Sequence, residues 1–486
     1  MKVAAMACSG RYGLLALCAL LGLSACGSPA VYESKPAVID PAVPGHVTLG
    51  EGGYRLPSFW RKGTPPDLLL VLALSGGGKR SSAFSYGVLK GMRDMPVRES
   101  GTPTRLLDKV TGIGSVSGGT FTAAYYGLYR DRIFTDYEKD FLKQDINGYI
   151  WGTYLLPWHW GWMPPGKYGT SDHMESVYDD LMFHGATYAD LIKRGAPVIW
   201  IGATDISYGD VFTFNQETFD IICTDLPSFP LARAVAASNG FPVLFSPINL
   251  ENHADRCGGW RPSWIDEKIV ADEDTMLRRK ALANGAEAYL DTSRTRYVHL
   301  SDGGISDNLA MRGMLAQIIE LEFDTQLERS RGFEHVRRIL VISVDGEAAQ
   351  DSSVAKEPTV GGVGRIVGAV TGLQIDRYNF ETLSLARIKI AGLVERIKKL
   401  RCGTAAVIDG YPCDDVEGYV EHFSLAGVED PQTRARLQSI PTGLTIDDAD
   451  VDALVAAGED QVKKSAAIAK VVKALEQTGA KPVVAR

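Results

Sequence analysis

Apolar runs the length of a strand recur along this chain. Asp67–Leu74 (DLLLVLAL) and Arg338–Asp345 (RILVISVD) are nearly continuous, and Lys109–Gly114 (KVTGIG) is rich in β-branched residues and glycine. Arg296–Leu300 and Tyr419–Leu425 are shorter candidates. Unbroken rather than alternating apolarity marks strands covered on both faces, as in a parallel sheet. Helical patterns separate them: Ser81 to about Arg93, Thr120–Tyr129, and Gln374–Leu400 with Ile390, Leu393, Val394 and Ile397 at helical spacing. Thr445-Ile446-Asp447-Asp448 opens a C-terminal helical region with a capping residue and an acidic first turn. The alternation predicts an α/β fold, a mainly parallel sheet between helices.

Glycine and serine gather where three of these strands end. Leu74-Ser75-Gly76-Gly77-Gly78-Lys79-Arg80 follows the first strand. Contiguous glycines let backbone N–H groups face a cavity, so Gly76, Gly77 and Gly78 are candidate donors to an oxyanion. Neither G-x-x-x-x-G-K-[ST] nor G-x-G-x-x-G is present, which argues against a nucleotide loop. Lys79 and Arg80 can brace the loop or steer an anionic headgroup. The second cluster, Ser115-Val116-Ser117-Gly118-Gly119, sits between a strand and a helix. Small neighbours permit the tight turn that presents a nucleophilic serine, and Ser117 fits G-x-S-x-G better than Ser115 does. In the third, Ser301-Asp302-Gly303-Gly304, Asp302 can point into a cleft or cap a helix starting near Ser306–Asn308.

The three clusters in this order resemble the patatin-like phospholipase family. Ala203-Thr204-Asp205 with Gly209 and Phe214, and Ala237-Ser238 with Pro242, Phe245 and Pro247, resemble two further segments of it. The resemblance covers roughly Leu68 to Gln317. It departs from the family pattern at Ser115 and Ser81, where glycine is usual. It implies a patatin-like three-layer α/β/α sandwich and a Ser–Asp dyad without histidine. Ser117 would be the nucleophile, Asp302 the base, and Gly76, Gly77 and Gly78 the oxyanion hole. The implied substrate is a phospholipid or other fatty-acyl ester. An acyltransferase or thioesterase on the same dyad, and a non-catalytic lipid-binding lipoprotein, are the alternatives.

None of the eight histidines lies in a catalytic motif, and His299 reads as a packed strand residue. With no H-E-x-x-H, calcium loop or Cys₄ spacing, no metal or other cofactor is expected. The net charge of −8 argues against nucleic-acid binding.

The start of the chain reads as targeting rather than fold. Leu14–Leu23 is apolar but too short for a stable span. Leu23-Ser24-Ala25-Cys26-Gly27 resembles a bacterial lipobox, implying cleavage before Cys26 and its lipidation. Gly27 in place of an acidic retention residue suggests the outer membrane by the same resemblance. The expected organisation is a signal peptide (1–25), a Pro/Gly-rich tether (26–66), a hydrolase domain (67–345) and a mainly helical C-terminal extension packed on the core (346–486). Oligomeric state is not legible.

Removing Cys8, Cys18 and Cys26 leaves Cys223, Cys257, Cys402 and Cys413 of the seven cysteines. Three pairings are possible. Local closure favours Cys402–Cys413 and Cys223–Cys257, with non-local closure or free thiols as alternatives. Gly258–Trp264 (GGWRPSW) is a candidate rim for lipid contact, and two further surfaces are candidates. One is the aromatic stretch with Tyr149, Trp151, Tyr154, Trp158, Trp160 and Trp162, which can equally be a satellite core. The other is the basic side of the long helix, with Lys389, Arg396, Lys398, Lys399 and Arg401, which can equally be a solvated face.

Overall fold

The structure is a computed structural model. It describes residues 31–56 apart from 41, 44–45 and 51; 67–99; 102–149; 169–242; 245–266; 273–321; 332–349; and 355–478 apart from 357 and 359–362. The signal segment, Cys26 and the tryptophans of the aromatic stretch lie outside the described residues.

In chain order the strands are β1 (Val31–Tyr32), β2 (Leu68–Leu74), β3 (Pro96–Glu99), β4 (Thr102–Arg105), β5 (Val110–Val116), β6 (Val198–Asp205), β7 (Asp210–Phe214), β8 (Ile248–Glu251), β9 (Tyr297–Ser301), β10 (Arg338–Asp345), β11 (Val407–Ile408), β12 (Tyr411–Pro412) and β13 (Glu417–Ser424). Among the described residues nine form one sheet along the path β1-β8-β9-β6-β5-β2-β10-β13, with β7 paired to β6. The centre, β6-β5-β2-β10-β13, is parallel throughout. β3–β4 and β11–β12 are separate hairpins.

Every residue of β2, β5, β6 and β10 is buried, as their unbroken apolarity requires. Leu69, Val71, Ile339, Val341 and Trp200 face Met314 and Ile318 of helix Arg312–Leu321 and Ile390 and Leu393 of helix Val363–Thr404. Their alternates Leu68, Leu70, Leu72 and Leu74 are equally buried. Strand alternation therefore needs a second helical layer. Helices Gly78–Arg93, Gly118–Tyr129 and Asp448–Lys464 supply it. The result is a mostly parallel sheet flanked by helices. The stretch after Asp345 is not only helical, since β13 extends the central sheet alongside β10.

One detail of the sheet positions the site. β7 pairs with β6 over Ile201–Asp205, overlapping the β5 contacts at Ile201 and Gly202 and the β9 contacts at Thr204 and Asp205. A strand has two edges, so β5 and β9 must share the edge that β7 leaves. They run toward each other along it, and the residues that follow them, Ser117 and Asp302, are brought together. Gly303 lies at this junction, where a Cβ would collide with the Gly202 carbonyl.

Candidate active site

Ser117 caps helix Gly118–Tyr129 with φ 46° and ψ −126°. A non-glycine residue at positive φ is strained, and such strain persists only where the surroundings enforce it. Here Ser238 enforces it. Its buried hydroxyl accepts from the Ser117 N–H at 2.9 Å and donates to the Gly202 carbonyl at 2.5 Å. The turn also needs small neighbours, because a Cβ at Gly118 would overlap Gly78 of the glycine loop.

Ser117 Oγ donates to Asp302 Oδ2 at 2.9 Å. The other carboxylate oxygen, Oδ1, accepts from Gly304 N–H at 2.8 Å. Asp302 thus uses one oxygen to hold its own turn and offers the other to Ser117. The surrounding backbone is fixed by Asp302 N–H to Gly240 O, Gly303 N–H to Ser238 O, and Thr204 Oγ1 to Asp302 O. Burial pushes the Asp302 carboxyl up to about 6, against the opposing effect of the Gly304 and Ser117 hydrogen bonds. Tyr178 is buried nearby, and burial and then the Asp302 charge raise its hydroxyl pKa.

Asp307 makes a useful contrast. Burial raises it to about 6 too, but its oxygens accept from the backbone N–H groups of Met311 and Arg312. It is a structural cap.

The glycine loop lies beside the Ser117 turn. Gly77 has φ 128° and Gly78 φ 60°, conformations open to glycine. Gly77 caps helix Gly78–Arg93, and Gly118 begins helix Gly118–Tyr129. First-turn N–H groups have no intrahelical acceptor. Among the described residues none accepts from Gly77, Gly78 or Gly118 N–H. Gly76 departs from the sequence expectation: its N–H is engaged by the Asn308 carbonyl at 3.0 Å. Its contribution is steric, since a Cβ there would strike Asn308 Oδ1. Gly118 was not among the expected donors. The G-x-S-x-G pattern itself was the signal for it, because the residue after such a serine opens the helix.

Lys79 and Arg80 brace and do not steer. Both are buried. Lys79 Nζ donates to Gln144 O at 2.6 Å and lies over the Phe141 ring, and burial lowers it to about 8. Arg80 reaches Gly346 O at 2.7 Å, Ile440 O at 2.6 Å and Thr442 Oγ1 at 3.0 Å, and burial lowers it to about 10. Ser115 Oγ donates to the Trp200 carbonyl and is buried, which removes it as a nucleophile. His299 bonds Asn249 within the β8–β9 pair.

Disulfides join Cys223 to Cys257 and Cys402 to Cys413. The basic side of the long helix is not one face, because Lys389 and Arg401 turn inward. Arg401 donates to the Cys413 and Glu334 carbonyls. Among the described residues no cluster of three His, Cys, Asp or Glu side chains could hold a metal, and no helix is long and apolar enough to cross a membrane.

A hydroxyl bonded to a desolvated carboxylate, on a helix N-terminus beside free backbone donors, has the parts for acyl transfer. The patatin-like phospholipase model matches residues 72–315, half of the chain, and the chain belongs to that family of lipid acyl hydrolases. Human GIVD cytosolic phospholipase A2 is a structural neighbour at 12% identity and TM-score 0.38, covering 85% of this chain. The same human enzyme with methyl gamma-linolenyl fluorophosphonate gives 11% identity and TM-score 0.37 over 86% of this chain. This chain spans 60% of the length of that human protein. No curated protein matches it.

Proposed function

We propose that this protein is a serine hydrolase of fatty-acyl esters in phospholipids, acting through Ser117 and Asp302. The observation that carries the reading is the 2.9 Å hydrogen bond from Ser117 Oγ to Asp302 Oδ2 at a strained turn. Ser117 Oγ attacks the ester carbonyl carbon while its proton passes to Asp302. Gly77, Gly78 and Gly118 N–H groups hold the oxyanion of the tetrahedral intermediate. Collapse breaks the ester C–O bond, and the leaving alkoxide takes the proton from Asp302 as the lysophospholipid departs. Asp302 then deprotonates a water that attacks the acyl-enzyme, and the fatty acid leaves as the proton returns to Ser117. A carboxyl raised to about 6 is a stronger base than an ordinary aspartate and is still mostly ionised at neutral pH.

Lipidation at Cys26 and anchoring to the outer membrane of a bacterial envelope belong to the same proposal, supported by the Leu23–Gly27 sequence. The test uses the chain from Gly27 onward, wild type beside Ser117→Ala, on mixed phospholipid vesicles with mass spectrometry of products. Free fatty acid and lysophospholipid that depend on Ser117 support the reading. Acyl chains transferred to an added alcohol in place of water, or no turnover by the folded protein, would overturn it.

A further inference from the structure

Helix Val363–Thr404 follows β10 in the chain. Asn379 Nδ2 donates to the Glu347 carboxylate at 2.6 Å, just past the end of β10. Farther along, Ile390 and Val394 pack at Gly418, near the start of β13. Arg401 then reaches the Glu334 carbonyl, ahead of β10. The helix therefore runs antiparallel to β10, and the residues before Asn379 project past the carboxyl end of the sheet. Ser117 and Asp302 lie at that same end. Arg312, shortly after the Asp302 turn, ties the two together: its Nε donates to Thr382 Oγ1 at 3.1 Å and its guanidinium covers the Tyr378 ring at 4.7 Å. At 1.5 Å per residue the projecting stretch is about 24 Å long.

The projecting end is also the most apolar part of the helix. From Val363 the sequence reads VGRIVGAVTGL, with Arg365 its one charge. Leu373 is 54% exposed, Phe380 71% and Ile388 65%. At helical periodicity these three share a stripe, opposite the buried stripe of Ala386, Ile390, Leu393 and Ile397. Arg377 and Arg387 are exposed on the apolar stripe, and Glu381 is exposed at its border. Large exposed apolar side chains interleaved with arginines suit an interface that offers hydrocarbon and negative charge together.

We propose that this face of helix Val363–Thr404 docks on an anionic lipid surface and brings the Ser117–Asp302 site to it. The purpose of the docking rests on the hydrolase reading, but the docking itself is read by binding alone. The chain from Gly27 onward is sedimented with vesicles of phosphatidylcholine, alone or mixed with phosphatidylglycerol. The same samples are assayed on a water-soluble short-chain ester.

Leu373→Glu with Phe380→Glu is expected to weaken binding to the mixed vesicles by roughly a hundredfold, since two apolar side chains no longer leave water. Arg377→Gln with Arg387→Gln should weaken binding to mixed vesicles by roughly tenfold and leave phosphatidylcholine binding unchanged. Both pairs should hydrolyse the soluble ester as wild type does, which shows that they fold. Wild-type vesicle binding by the glutamate pair overturns the proposal. So does wild-type self-association that the pair abolishes while vesicle binding persists, which would make the face a contact between two copies. Vesicle binding lost in the pair, but with no Ser117-dependent turnover of any ester, would uphold the docking face and refute the hydrolase.

Discussion

Replacing Asp302 by asparagine should remove activity and stabilise the protein, in a way that depends on pH. The carboxyl is 6% exposed, and its pKa rises from 3.8 to about 6 on folding because burial disfavours the charge. The native state therefore binds more protons than the unfolded chain between about pH 4 and pH 6. Stability must fall as pH rises through that window and level off above it. A rise of about two units corresponds to ~3 kcal/mol. Asparagine fits the same contacts: its carbonyl can accept from Gly304 N–H, and its amide can donate to Ser117 Oγ. The variant should therefore match wild type near pH 4 and exceed it by ~3 kcal/mol above pH 6, a few degrees in Tm for a chain of this size. The assay is urea and thermal unfolding at a series of pH values, with esterase activity in parallel. Asp307 and other buried groups titrate in both proteins, so the difference isolates Asp302. Wild-type kcat/KM should rise with pH to a plateau above about pH 6, as the base ionises. A variant no more stable than wild type above pH 6, or a stability gap that does not change with pH, would refute the reasoning.

Three further outcomes are expected. Ser238→Ala leaves the buried Ser117 N–H and Gly202 O without their partner, at ~1–3 kcal/mol. If that strain is released at the turn, kcat should drop roughly tenfold or more while KM and the circular dichroism spectrum hold, and an unchanged kcat would remove Ser238 from the positioning role. Gly303→Ala forces a methyl group into the Gly202 carbonyl where β5 and β9 meet. It should cost ~1–3 kcal/mol and esterase activity together, measured by urea unfolding and turnover. Removing Cys223–Cys257, whose ends are 34 positions apart in sequence, should destabilise by ~4 kcal/mol, and removing Cys402–Cys413, 11 apart, by ~3 kcal/mol, compared by chemical unfolding of the double-alanine variants.

What was legible in the sequence follows from what each residue depends on. The central strands announce themselves because burial on both faces demands local apolarity, and Arg338–Asp345 coincides with β10 to the residue. Ser117 and Asp302 could be picked out because tight turns restrict their neighbours to small residues. The end-to-end meeting of β5 and β9 was hidden, since it depends on which edge of β6 the β7 hairpin occupies. The engagement of Gly76 was hidden for a related reason: its partner is a backbone carbonyl, and every residue has one. Lys389 and Arg401 read as part of a basic helix side and Lys79 and Arg80 as bracing or steering residues, and the partners that bury all four were hidden because most of the acceptors lie far away in the chain. The helix expected after Asp302 is a single short turn, Gly304–Asp307, and the longer helix begins only at Arg312.

The same long-range acceptors bear on where the hydrolase unit ends. The family match stops at residue 315, yet the glycine loop is held by residues well beyond it. Lys79 N–H donates to Gly443 O at 2.8 Å, and Arg80 spans the Gly346 and Ile440 carbonyls. A Cβ on Gly78 would lie 2.6 Å from Gly443 O, so the two backbones are in contact. Helix Asp448–Lys464 packs equally closely on helix Gly78–Arg93, with Gly87 against Val455 and Gly458 against Phe84. Donors useful to an oxyanion must be fixed before the charge develops, because the gain comes from not reorganising them during reaction. Here that fixing is done largely by the C-terminal residues. The buried Arg80 guanidinium, with Asp345 and Glu347 nearby, would lose its main hydrogen-bond acceptors without those carbonyls. Removing the chain after Asp345 would therefore unmake the site itself.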